Sequence, residues 1–255
     1  YLELSSIYSS LSNYDYALEM AQSSLKYIDP NTIIEDKIYI YNKVAGIYYT
    51  MGDYELSEEY LTKILNLTTN EHFSIASAHL KLGHIDFKNQ NYLNAIQEYL
   101  KSYKHIELEN RQRVTLVANS YKKYIYLKLS ESYKKTGNTK SAFLYSDLLL
   151  NSFNDYIPGI VNLAQIHQTN NNIYQAKKEY QKAEQSISKT NPNQRTISNF
   201  HKDYGNFYKD INQLDSALVQ YQLGITTLLS NFENIDFISN PSELEEHILH
   251  QHLMT

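Results

Sequence analysis

The chain has 255 residues, a length that allows one or two globular domains. Only 7 Gly and 4 Pro are present, too few turn-forming residues for an all-β chain, so long helices are favoured. Because the chain has no cysteine, disulfides, thiolate metal sites and a cysteine nucleophile are excluded. No signal peptide is visible, and no apolar stretch approaches the length of a membrane span. The lack of cysteine is compatible with the cytoplasm, which is the expected location, and the periplasm stays open as an alternative.

The net charge of −5 is unevenly distributed. Residues 1–75 carry 4 Lys and 11 Asp or Glu, and residues 231–255 carry 5 acidic residues and no basic one. Residues 101–140 carry 10 Lys or Arg against 3 Glu. The middle of the chain is therefore basic and its ends are acidic, so local fields are stronger than the net charge implies.

The predicted elements begin with a helix pair that repeats along the chain. Residues 44–65, "VAGIYYTMGDYELSEEYLTKIL", show a large apolar residue, a small residue, an aromatic residue, a short polar turn, and a second small residue followed by large ones. Residues 82–103 and 204–225 follow the same order. Apolar residues recur at helical spacing on both sides of the turn, so each unit is predicted to be two antiparallel helices.

Six such units can be placed in chain order by the small residue of the second helix, where two helix axes cross closely. These residues are Ala17, Ser57, Ala95, Ala142, Ala176 and Ala217, at intervals of 40, 38, 47, 34 and 41. The first unit begins within a helix at Tyr1, so we expect the chain to be part of a longer protein. Gly52 and Gly137 are expected to end helices in a left-handed conformation. The fifth unit departs most from the pattern, with His167 in place of an aromatic residue and no Gly in its turn.

This pattern resembles the tetratricopeptide repeat (TPR), whose basic length is 34 residues. The resemblance covers about residues 1–230 and implies an all-α fold, a right-handed TPR superhelix of about six helix-turn-helix repeats. Four of the five intervals exceed 34, and the additional residues are expected to extend helices, as in "ENRQRVTLVANSYKKYIYLKLSESYKK" (109–135). The resemblance also implies a protein–protein interaction or sensing module rather than an enzyme.

TPR arrays usually bind a protein or peptide in the concave groove that their first helices line. Carrying the family's groove positions over to this chain gives the candidate binding residues Asn42, Tyr49, His84, Phe87, Glu131, Lys134, Gln165, Gln168, Lys202, Asn206 and Lys209. The same positions also include Gly46, Leu80, Leu127 and Val161. Lys202 and Asn206 resemble half of a carboxylate clamp, although no further repeat completes it. Amide and tyrosine side chains suit an extended peptide, because they can hydrogen-bond its backbone.

Residues 231–241, "NFENIDFISNP", have no helical period. They resemble the exit segment of TPR arrays that precede a CHAT domain, the caspase-like protease domain of bacterial proteins. That resemblance implies the regulatory TPR region of a larger protease. Two alternatives remain: a cap that covers the last helix pair, and the TPR sensor region of a bacterial signalling protein with a kinase or DNA-binding output. Residues 242–255 are predicted to begin a further helix, since Ser242 and Glu245 have capping-box spacing.

The basic middle of the chain suggests nucleic acid as a second kind of partner. Its Lys and Arg residues, several of them in 111–135, are interleaved with Tyr121, Tyr124 and Tyr126, which could stack on bases. However, aromatic residues on first helices of TPRs are usually core, and these lysines cover several helix faces. An acidic protein partner or a solvated surface is therefore favoured over nucleic acid.

No motif for catalysis or cofactor binding is present. Adjacent carboxylates on a helix point about 100° apart and do not converge on one substrate atom. Gly-rich phosphate loops, nucleophile elbows and HExxH motifs are missing from the sequence. His247 and His250 have a spacing that can chelate a metal, but His252 lies on another face, so a polar helix end is favoured. We therefore expect no enzyme activity, no metal and no cofactor.

Overall fold

The computed structural model describes residues 1–67, 70–108 and 115–228, with the backbone alone at 115 and 116. These residues form twelve α-helices and no strand, as the sequence predicts. The helices are α1 (Leu2–Ser10), α2 (Tyr14–Leu25), α3 (Ile34–Met51), α4 (Tyr54–Leu65), α5 (His72–Lys88), α6 (Tyr92–Leu108), α7 (Thr115–Lys135), α8 (Thr139–Ser152), α9 (Ile157–Thr169), α10 (Ile173–Thr190), α11 (Gln194–Asp210) and α12 (Leu214–Leu228).

The helices fall into two compact units, Tyr1–Asn138 (unit 1) and Thr139–Thr255 (unit 2). In unit 1, α1 packs on α2, α3 on α4 and α5 on α6, and each second helix also packs on the next first helix. In unit 2, α9 packs on α10 and α11 on α12, while α8 packs on α9. Each helix pair therefore buries its outer faces against its neighbours, as stacked repeats do.

All six turns within repeats share one backbone geometry. A residue one or two positions after the end of the first helix has a positive φ in every case: Ser12, Gly52, Gln90, Gly137, Asn171 and Asn212. The next N–H then donates to the carbonyl five residues earlier, as in Asp53 to Tyr48 at 2.9 Å. The expected roles of Gly52 and Gly137 are confirmed. The fifth turn needs no Gly because Asn tolerates the left-handed region well.

The small residues that mark the crossing of the two helices are all buried, and none is more than 2% exposed. Where the residue is Ser57 rather than Ala, its Oγ donates to the carbonyl of Ala45 on the facing helix at 2.9 Å. The hydroxyl is therefore satisfied without separating the helices. This confirms the prediction that the repeats depend on small residues at these crossings.

Two glycines on first helices allow an even closer approach by a ring. A Cβ added to Gly83 would lie 2.6 Å from a ring carbon of Tyr99, and one added to Gly205 would lie 2.5 Å from the ring of Tyr221. Tyr99 is completely buried, so its ring has little room to move away. The third and sixth repeats thus seat a tyrosine of the second helix directly on the backbone of the first.

Three predicted features lie outside the described residues: the segment 231–241, the further helix over 242–255 with its histidines, and Arg111 with Arg113. Within the described part of the chain, no helix has both the length and the apolar character needed to cross a membrane.

We expect Gly83→Ala to lower the free energy of unfolding by about 1–3 kcal/mol, because the new methyl group would overpack against Tyr99. Gly46→Ala is the matched control, since a Cβ there meets nothing within 4 Å. Gly46→Ala should raise the free energy of unfolding by about 0.5–1 kcal/mol, because Ala is favoured over Gly within a helix. Urea unfolding of both variants measures the difference, and equal stabilities would contradict this account of the Tyr99 contact.

Candidate functional site

The first helices of unit 1 present a polar and aromatic surface, here called the α3–α5–α7 face. Residues three or four apart share one side of a helix, so each first helix contributes a short row of side chains. The face comprises Asn42, Lys43 and Tyr49 on α3, Lys81, His84 and Phe87 on α5, and Tyr124, Lys128 and Glu131 on α7. Most of the residues predicted for the groove in repeats 2 to 4 are among them.

Helices α5 and α7 meet on this face through rings and one cation. The Nζ of Lys128 lies 5.3 Å from the ring centroid of Phe87 and 5.5 Å from that of Tyr124. The same Nζ forms an ion pair of 2.8 Å with Glu131. The ring of Tyr124 meets that of His84 edge-on, with centroids 5.0 Å apart. Lys128 is therefore held over aromatic faces, where a cation is attracted to the ring quadrupole.

Helix α3 joins the same surface through Tyr49. Its ring packs against Tyr54, with centroids 5.5 Å apart. Burial, followed by Tyr54 and Tyr124, raises the pKa of Tyr49, and the positive charge of Lys128 opposes that rise. Tyr49 on α3 is thus affected by the charges of Tyr124 and Lys128 on α7. Side chains from all three helices therefore converge on this face.

His84 is a neutral imidazole within this charged surface. Burial lowers its pKa to about 3, and Lys128, Lys81 and Lys88 add to the effect. Its Nε2 is buried without a hydrogen-bond partner, as is the hydroxyl of Tyr99 behind it. His84 had been predicted to face the groove; the structure places it on that side but largely covered.

Lys81 is a residue of this face that the carried-over positions missed. Its Nζ donates to the side-chain oxygen of Asn42 at 3.1 Å and to the Asn42 carbonyl at 3.3 Å. Burial, with a contribution from Lys43, lowers the pKa of Lys81 to about 8. The Asn42 oxygens partly replace the water that this ammonium group has lost.

The corresponding residues of unit 2 are bonded within their own unit. Gln168 Nε2 donates to Asp210 at 2.8 Å, and the side-chain oxygen of Asn206 accepts from the hydroxyl of Tyr221 at 2.9 Å. Gln165 forms a side-chain hydrogen bond with Tyr180. Of the two predicted lysines, Lys202 is half-buried and Lys209 is exposed.

Three residues at predicted groove positions are core residues instead. Leu80 is 8% exposed, and Leu127 and Val161 are each 5% exposed. Their apolar side chains turn into the packing between helices, and the next residue along, such as Lys81 or Lys128, takes the surface direction. The expectation that all three line the groove was therefore wrong. Lys134, by contrast, is half-buried and has a partner within the chain.

A histidine cluster between α5 and α6 was not found from the sequence. The Nδ1 atoms of His72 and His105 lie 3.2 Å apart, so one ring must donate and the other accept. His79 stacks on His105 and bonds Glu98 at 2.7 Å. Burial, followed by His79 and His72, lowers the pKa of His105. No group of three or more His, Cys, Asp or Glu in the described residues is arranged to hold a metal ion.

Several lysines of the basic stretch form ion pairs within unit 1. Lys101 pairs with Glu98 at 2.6 Å, and Lys122 pairs with Glu107. Lys128 pairs with Glu131, as described above. These carboxylates offset much of the positive charge that made nucleic acid an alternative partner.

The comparisons with known proteins agree with this architecture. The family model described as "Tetratricopeptide repeat" matches residues 38–71 and 158–189, which are the second and fifth repeats. No curated protein sequence matches the chain.

Three solved structures are similar over most of the chain. A tetratricopeptide repeat protein from Parabacteroides merdae has a TM-score of 0.66 and 15% identity, covering 99% of this chain and 82% of its own. The assembly chaperone of RpL4 (Acl4) has a TM-score of 0.61 and 9% identity, and the match covers 99% of this chain and 96% of the chaperone's chain. BtubC from P. vanneervenii has a TM-score of 0.59 and 15% identity, and the match covers 91% of this chain and 93% of the BtubC chain. The helix pairs, their turns and these similarities define the class: the chain has the fold of a TPR protein.

We expect the stability of the protein to fall as the pH drops below about 6.5. A histidine in the unfolded chain titrates near that pH, whereas the folded state keeps His84 neutral down to about 3. The unfolded state therefore binds the proton first, and at pH 5 the fold should have lost about 1–2 kcal/mol through this residue. His105 and His201, whose pKa values are also lowered, act in the same direction.

Thermal unfolding between pH 7.5 and pH 5 measures this loss. In His84→Gln the midpoint should fall less over that range than in the unmodified protein. Parallel slopes for the two proteins would contradict the assignment of His84.

Proposed function

We propose that this chain is a protein-interaction module whose α3–α5–α7 face binds an extended peptide segment of a partner. The observation that carries the proposal is the contact of three separate first helices on one surface: Lys81 of α5 bonds Asn42 of α3 at 3.1 Å, and Lys128 of α7 lies 5.3 Å from the ring centroid of Phe87 of α5. Half-buried rings offer a large apolar area at small entropic cost, and the amide and ammonium groups beside them can bond a peptide backbone.

The composition of the face also favours binding over catalysis. Among the described residues, the Nε2 of its one neutral imidazole, His84, has no nucleophile or carboxylate as a hydrogen-bond partner. The family match is to a repeat family and indicates no catalytic activity. We therefore assign the surface a recognition role, with a protein or peptide as its ligand.

The wider context that we propose is the regulatory region of a larger CHAT-type protease, in which a partner on the face would bias the attached protease. Support comes from the resemblance of residues 231–241 to the exit segment of such arrays. The alternative is a bacterial TPR sensor with a kinase or DNA-binding output. The coding sequence after Thr255 tests this context. A His-Cys protease domain is expected there, and a kinase or DNA-binding domain would contradict the proposal.

Binding can be tested with a display library of random twelve-residue peptides. We expect enriched peptides that lose about tenfold in affinity for Tyr49→Ala and for Phe87→Ala, because truncating an aromatic anchor typically costs more than 1 kcal/mol. Isothermal titration calorimetry measures the dissociation constants. Gln165→Ala and Lys202→Ala report whether the predicted groove positions of unit 2 take part.

Tyr174→Ala is the matched control, because Tyr174 lies on α10 in unit 2 and is 77% exposed. It removes the same side chain from a position outside the face and should leave affinity unchanged. Selected peptides that bind Tyr49→Ala and Phe87→Ala as well as the unmodified protein would place the binding surface elsewhere.

A further inference from the structure

Three lysines of unit 1 occupy the same position in successive repeats. Lys43, Lys81 and Lys128 each stand 14 residues before the small residue that marks the helix crossing of their repeat. The equivalent residue is Glu3 in the first repeat, Asn162 in the fifth and Asp203 in the sixth. A row of lysines, one from each of α3, α5 and α7, is therefore confined to the α3–α5–α7 face.

Two of these lysines have no acidic partner. Lys43 Nζ donates to Ser6 Oγ at 3.0 Å, and Lys81 Nζ donates to the oxygens of Asn42. Within the described ranges, no carboxylate oxygen lies within 4 Å of either ammonium group. The third, Lys128, is paired with Glu131 on its own helix. The row thus carries more positive charge than the neighbouring side chains compensate.

The excess of positive charge affects the pKa values of Lys81 and His84. Lys43 acts together with burial to lower the pKa of Lys81, and Lys81 and Lys128 both lower the pKa of His84. His84 lies between the two lysines and stays neutral, so it adds no charge to the row. A negative ligand would relieve the repulsion among these cations and would be attracted by their combined field.

The spacing of the row selects a particular ligand geometry. Side chains of neighbouring first helices touch on this face: Lys81 bonds Asn42 at 3.1 Å, and Lys128 lies 5.3 Å from the ring centroid of Phe87. Successive lysines of the row are therefore expected to be separated by the distance between neighbouring helices, about 10 Å. A polyproline II chain has three residues per turn and rises about 3.1 Å per residue, which places every third side chain on one side at about 9 Å intervals.

We propose that Lys43, Lys81 and Lys128 bind the carboxylates of an extended peptide in which Asp or Glu recurs at every third residue. This inference rests on the proposed function for the existence of a peptide ligand and specifies its chemistry. The rings of Phe87 and Tyr124 then lie beside the row, where the intervening residues of the peptide can pack. Glu131 competes with the peptide for Lys128.

The test uses three nine-residue peptides with acetylated and amidated ends, which removes terminal charges. One has Glu-Pro-Ala three times, the second has the same composition with its Glu residues adjacent, and the third has Gln in place of Glu. We expect the first to bind at least tenfold more tightly than the other two. Lys81→Met should weaken its binding at least tenfold, and Glu131→Gln should strengthen it.

Lys26→Met is the matched control, because Lys26 is exposed at the end of α2 and its removal changes the net charge equally. Circular dichroism checks that each variant is folded. NMR of the His84 ring at pH 7 supplies an independent readout: its resonances should shift when the first peptide binds and should stay in place with the Gln peptide, because the ring lies close to Lys128 and Lys81.

Equal affinity for the spaced and adjacent Glu peptides would overturn the proposal, as would unchanged binding by Lys81→Met. Tighter binding of single-stranded oligothymidylate than of the first peptide would also overturn it, in favour of a nucleic-acid ligand. If library-selected peptides lose affinity for Tyr49→Ala but show no dependence on Lys81, the lysine row alone is wrong. If no selected peptide depends on Tyr49 or Phe87, the proposed function itself fails.

Discussion

The close crossing of two helices at a small residue is the contact on which the rest of this molecule depends. An Ala or Ser at the crossing lets the two helix backbones approach closely. The residue with a left-handed conformation in each turn reverses the chain, so that the second helix packs antiparallel to the first. Where the first helix also has Gly, a whole tyrosine ring fits against its backbone, as at Gly83. Repetition of this one contact brings successive first helices side by side within unit 1.

That arrangement explains the electrostatics of the α3–α5–α7 face. Equivalent positions on neighbouring first helices become spatial neighbours, so lysines far apart in sequence affect shared groups. Lys43 helps to lower the pKa of Lys81, and Lys128 and Lys81 help to lower that of His84. Partial burial strengthens their interaction, because the low dielectric screens charge less than water does. The lowered pKa values of Lys81 and His84 are two consequences of the same packing.

The two units use similar helices for different surfaces. In unit 2 the amides at groove positions are bonded to neighbours such as Asp210 and Tyr221, which fixes the side chains in place. In unit 1 the α3–α5–α7 face is built from rings and cations, and two of these cations, Lys43 and Lys81, have no acidic partner among the described residues. The same fold therefore presents one surface whose amides are bonded within their own unit and another with an excess of positive charge among its described residues, which is why both proposals rest on unit 1.

The sequence by itself determined the helix pairs, the six crossings and the left-handed turns at Gly52 and Gly137, because these depend on local spacing and on the size of single residues. Only the tertiary structure decided which of two adjacent residues is buried in the core. Leu80 turned into the core and Lys81 toward the surface, since the direction depends on how helices pack. The contacts of His72 with His105 and of Phe87 with Lys128 also appeared only in the tertiary structure, because they arise from packing between distant parts of the chain.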